Sequence, residues 1–61
     1  MTEYRIPAAN WSDELASTLR KAVAGDMVIV RTEPMLRLAE SAAHRMGKEG
    51  VILTVADKLD D

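Results

Sequence analysis

A single α/β domain over residues 1–61, in the order β-α-β-α-β with a three-stranded parallel sheet and two helices, is the fold this sequence predicts. Three observations carry that expectation. The runs Met27-Val28-Ile29-Val30 and Val51-Ile52-Leu53-Thr54-Val55 are apolar and rich in β-branched residues, as strands are. Two segments of helical periodicity separate these runs from each other and from Glu3-Tyr4-Arg5-Ile6. Finally, Ile6, Ile29 and Ile52 recur at a constant spacing of 23 residues, so that each interval holds one strand and one helix.

The first strand, Glu3-Tyr4-Arg5-Ile6, alternates polar and apolar residues and is stopped by Pro7, which suits an edge strand with one wet face. Helix one starts from Asn10 or Ser12 as N-cap, with Asp13 and Glu14 in a first turn where acidic groups suit the helix dipole. Its apolar side is Trp11, Leu15, Leu19, Ala22 and Val23, and its end is expected near Ala24, with Gly25 as left-handed cap. The unbroken run from Met27 to Val30 reads as a central strand buried on both faces. Thr32 then caps helix two, with Glu33-Pro34 in its first turn, and the helix runs to about Met46. Met35, Leu38, Ala39, Ala42 and Met46 form its apolar stripe, widened by Leu36 and Ala43. Gly47 and Gly50 flank the turn into the third strand, and residues 56–61 read as a frayed acidic tail.

At the 23-residue offset Leu15 also matches Leu38, Ala16 matches Ala39 and Val28 matches Val51. Two compact helix-strand units of equal length would align as well without duplication. Either origin leaves the element order unchanged.

Helices of this length return the chain to the starting end of the sheet, so the strands run parallel and each crossover is right-handed. With the polar first strand at an edge and strand two central, the order 1-2-3 puts both helices on one face and leaves the other bare. The alternative order, 2-1-3, covers both faces but forces the polar strand into the centre. A bare apolar face calls for a partner, because each aliphatic side chain is worth roughly 1.5 to 3 kcal/mol if buried. A homodimer answers by stacking its sheets or by pairing third strands, and a different protein docking there answers equally. The candidate interface residues are Val28, Val30, Val51, Ile52, Leu53 and Trp11.

Composition narrows the function classes. With no cysteine and one histidine, thiolate metal sites, cysteine nucleophiles, disulfide staples and imidazole clusters drop out, and no metal or cofactor is expected. Eight basic residues scattered among ten acidic ones give a formal charge of -2, which disfavours a nucleic-acid footprint. No apolar run approaches the roughly 18 to 20 residues that span a bilayer, and Met-Thr-Glu-Tyr-Arg lacks the apolar segment of a signal peptide. The expected location is the cytoplasm, away from membranes.

Candidate chemistry is sparse. Ligands of parallel sheets sit at the C-terminal edge, here Asn10, Trp11 and Ser12 after strand one and Arg31 and Thr32 after strand two. Asn10, Ser12, Arg31 and Thr32 would hold a phosphate or carboxylate at the helix amides, although capping explains Asn10, Ser12 and Thr32 fully and no Gly-rich phosphate loop is present. His44, one turn after Glu40, suits a solvated helix C-terminus better than a catalytic base. Ser17, Thr18 and Ser41 have no base close in sequence, and Met27, Met35 and Met46 read as core filler.

The leading reading is a small non-enzymatic interaction module, dimeric, binding another cellular protein. Its alternatives are a small-ligand or nucleotide binder built on Arg31 and the helix N-termini, and a ribbon-helix-helix-like DNA-binding dimer starting at Tyr4-Arg5-Ile6. The last needs two successive helices, against which Met27 to Val30 is too strand-like. In style the Ala-rich, Arg-over-Lys stretch Leu36-Arg37-Leu38-Ala39-Glu40-Ser41-Ala42-Ala43-His44-Arg45, with the short chain and acidic tail, resembles the small orphan proteins carried by bacteriophages of high-GC actinobacteria. That resemblance implies a viral protein made in the host cytoplasm that binds a host factor or blocks a host defence. It carries over no site residues.

Overall fold

The structure, a computed structural model, describes residues 1–56 and has the element order β1 (Glu3–Arg5), α1 (Trp11–Lys21), β2 (Met27–Val30), α2 (Glu33–Arg45), β3 (Ile52–Val55). The strands form one parallel sheet in the order β1-β2-β3, so the central position falls to the most apolar strand. The tail expected over 56–61 lies, from residue 57 onward, outside the described residues. Because β2 stands between the two helices, the succession that a ribbon-helix-helix dimer requires is not formed.

Both helices lie on one face. Leu15, Leu19 and Ala22 of the α1 segment and Met35, Ala39 and Ala43 of α2 share a buried cluster with Ile6, Val28, Val30, Val51 and Val55. Alanines at three of these six positions let the helix axes approach the sheet closely, which compensates for a core without phenylalanine. Tyr4, Trp11, Leu36, Ala42 and Leu53 seal its rim. The Tyr4 ring also carries the Lys21 ammonium 5.5 Å from its centroid.

Three expectations are corrected. Helix α1 stops at Lys21, not near Ala24: Ala22 turns to an extended backbone (φ -71°, ψ 149°), which buries its methyl but leaves Val23 60% exposed. Gly25, at φ 96°, serves the turn into β2 instead, where its amide donates to the Gly50 carbonyl. On α2 the contact stripe is Met35, Ala39 and Ala43, one residue every turn, so Leu38 and Met46 fall beyond its flank and are exposed.

The 23-residue repeat is not the repeat of the sheet. Glu3 pairs with Met27 and Met27 with Ile52, so the register offsets are 24 and 25 residues. One residue of slip moves a side chain to the opposite face. Ile6 accordingly lies in the core under the helices, whereas Ile29 and Ile52 stand on the other side.

Helix ends are closed by tertiary contacts as well as local ones. At α2, Gly47 takes φ 72°, its amide donates to the His44 carbonyl, and the Lys48 amide donates to the Ala43 carbonyl, the paired bonds of a Schellman ending. The Lys48 side chain then crosses to α1, with Nζ 3.1 Å from the Arg20 carbonyl and 2.6 Å from that of Ala22. A cation there answers both the orphan carbonyls and the negative end of the α1 dipole.

Candidate functional site

In a parallel pair, consecutive residues of a strand turn their amide and carbonyl alternately to one neighbour and the other. The Ile52 amide donates to the Asp26 carbonyl, so Ile52 and Thr54 face β2 and the backbone groups of Leu53 and Val55 point to the outer edge of the sheet. Among the described residues nothing pairs with them there. By the same rule, Glu3 and Arg5 face outward from β1, because the Met27 amide donates to Thr2 and the Ile6 amide to Ile29.

The two edges differ in chemistry. β1 carries Glu3 and Arg5, joined by an ion pair of 3.2 Å, and Pro7 follows two residues after its end; charges and proline are the usual guards against a foreign strand. Ile52-Leu53-Thr54-Val55 has neither charge nor proline. Beside it on the helix side is an open hollow of about 260 Å³, lined by Glu40, Ala43, His44, Lys48, Glu49, Val51 and Leu53. His44 Nδ1 meets Glu49 Oε2 across its rim, so the histidine's partner is a residue of the following loop and not Glu40 of its own helix. On the helix-free side, Ile52 is 45% exposed.

The candidate interface residues are thereby separated. Val28, Val30 and Val51 are buried in the core under the helices and offer no surface, because the even-numbered face of β2 is the one that packs. Leu53 and Trp11 are half-buried at the rim, and Ile52 alone of the six stands on the helix-free face. That face is less bare than expected at its centre, where Ile29, paired with Arg5 and Thr54, retains only 2% exposure and offers no surface for sheet-on-sheet stacking.

No family model, curated protein or solved structure matches this chain.

The ligand candidates at the other end of the sheet are all exposed. Thr32, in an extended conformation, accepts from the Met35 amide at 3.4 Å and is therefore occupied as a cap. Asn10 holds the cap position of α1 in a left-handed conformation, φ 54°, and its side chain makes no capping bond; Ser12 lies inside the first turn. Arg31 follows β2 at the surface. Thr18 is buried in α1, whereas Ser17 and Ser41 are exposed. Among the described residues no group of three His, Asp or Glu side chains converges as metal ligands would, and no helix is long and apolar enough to cross a membrane.

A second, more apolar groove of about 270 Å³ runs between the helices, lined by Trp11, Ser12, Leu15, Ala16, Leu38, Ala42 and Arg45. Its exposed wall is Leu38, at 54%. The parts of the β3 site that sequence reading missed are Lys48 and Glu49. Their spacing from Glu40 and Leu53 carries no periodic signal, since the loop that brings them together is set by the Gly47 turn.

Proposed function

We propose that this chain is a small protein-interaction module, acting by binding and not by catalysis, with the outer side of β3 as its binding surface. One observation carries the reading: β3 presents an uncharged, proline-free edge whose Leu53 and Val55 amides have no partner among the described residues, while the opposite edge is guarded. Such an edge is a template for strand addition, in which backbone hydrogen bonds supply affinity and neighbouring pockets supply selectivity. Exposed Ile52 adds an apolar contact next to it. The resemblance in style of residues 36–45 to phage proteins supports a host protein as the partner.

Native mass spectrometry of the protein isolated gently from its own cells, paired with a Leu53→Pro variant, tests the reading. Proline removes the outward amide and guards the edge. A retained polypeptide, or a dimer, that disappears in a folded Leu53→Pro chain supports the module. A bare monomer, or a partner indifferent to the variant, overturns it.

A further inference from the structure

The charge beside the β3 edge selects among the strands that would add to it. Of the ionisable side chains lining the hollow, the Lys48 ammonium is held by the Arg20 and Ala22 carbonyls of α1, and His44 is engaged with Glu49. Glu40 makes no hydrogen bond or ion pair among the described residues, and its carboxylate gives the hollow its sign, since Glu49 is paired with His44. On the helix-free face the same edge is flanked by Ile52 and Thr54, which carry no charge.

A second copy fits this edge poorly. Antiparallel pairing of two β3 strands about a two-fold axis puts both sets of helices on one side of the joined sheet, so the Glu40 and Glu49 carboxylates of the two copies are brought towards each other. The strand that such a copy offers has only aliphatic side chains for the hollow, Leu53 and Val55. Like charges at a seam oppose pairing. A four-residue strand also falls short of the roughly 1,200 to 2,000 Å² that stable dimers bury.

We infer that the β3 edge takes an extended peptide segment of a partner protein in which arginine or lysine alternates with aliphatic residues. The basic side chains enter the hollow between α2 and β3 beside Glu40 and Glu49, and the aliphatic ones lie against Ile52. Alternation by two follows from the pleat, which sends successive side chains of the added strand to opposite faces. This inference rests on the interaction-module reading and supplies the chemistry of its partner.

The probe is a blocked peptide about six residues long, a usual strand length, alternating valine and arginine, with a valine-glutamate peptide as control. Amide spectra of the uniformly labelled protein follow the titration at low salt. The expected result is that the arginine peptide shifts the Leu53 and Val55 amides and slows their hydrogen exchange. Glu40→Lys, a change on an exposed helix surface, weakens that binding by about three- to tenfold, and added salt narrows the difference. Equal binding of both peptides, or indifference to Glu40→Lys, overturns the inference while leaving the module reading in place. So does a dimer whose Leu53 and Val55 amides are already protected without peptide. If neither peptide binds and the protein is a bare monomer by mass, both fall together.

Discussion

The Asp26 carboxylate accepts the Thr2 amide at 3.0 Å through Oδ1 while its Oδ2 accepts the Val23 amide at 3.1 Å. One side chain at the start of β2 thus ties down the N-terminal strand and the segment that leaves α1. Asp26 is 5% exposed, one of two polar side chains buried in the domain's described part, and its hydrogen bonds are what make that burial tolerable.

These two amides, Val23's first and Thr2's second, hold the Asp26 carboxyl below its ordinary value near 3.8, because both stabilise the ionised form. A depressed folded-state pKa stabilises the fold at every pH above the unfolded value, and that contribution is lost as pH falls through the folded value. Urea unfolding of the wild type and Asp26→Asn from pH 6 down to pH 2 is expected to show a constant wild-type advantage above about pH 4 that shrinks below it. A gap that widens in acid would contradict this account.

Gly50 and Ala24 hold two loops in contact. A Cβ on Gly50 would sit 2.7 Å from the Ala24 Cβ and 3.3 Å from its Cα, nearer than carbon atoms pack. Gly50→Ala is expected to cost about 1 to 3 kcal/mol, the usual range for overpacking. The Gly25 amide bond to the Gly50 carbonyl leaves the loops little room to separate. In an Ala24→Gly background the same substitution should cost markedly less, and a thermodynamic cycle from urea titrations reads the difference. Equal costs in the two backgrounds would show that the contact is relieved by loop movement.

The two helix starts respond oppositely to substitution. Thr32→Ala removes the bond to the Met35 amide and is expected to lose about 1 kcal/mol. Asn10 provides no such bond but occupies a left-handed conformation that costs a residue with a Cβ about 1 to 2 kcal/mol, less for asparagine. Asn10→Gly should therefore leave stability unchanged or raise it, and Asn10→Ala should lower it. Thermal melting of the three variants side by side decides the matter; a loss in Asn10→Gly as large as that in Thr32→Ala would mean that the asparagine side chain caps α1 in solution.

Much of the β3 edge was legible in the chain, since Ile52 to Val55 is apolar, β-branched and unguarded, and third-strand pairing was among its expected uses. The hollow beside it was not. Glu40, His44, Glu49 and Leu53 meet only because the left-handed Gly47 folds the loop back along α2, and no local periodicity encodes that approach. The Lys48 bridge to Ala22 escaped sequence reading for the same reason, being a contact between residues 26 positions apart.

The sequence by itself determined the element order and the parallel, right-handed connection of the strands. Local signals suffice for these, because strand and helix periods, Pro7, Pro34 and the glycines are properties of neighbouring residues, and the handedness of crossovers does the rest. Tertiary structure decided the order β1-β2-β3 over 2-1-3, and with it which alternate set of each strand meets the helices. A period of two defines two faces without naming the inner one: Val28 and Val30 went under the helices, and Ile29 and Ile52 went to the open side. Packing chose that register over the 23-residue isoleucine spacing because it buries Ile6, Val51 and Val55 together in one core, an energy that depends on residues distant in the chain and brought together only by folding.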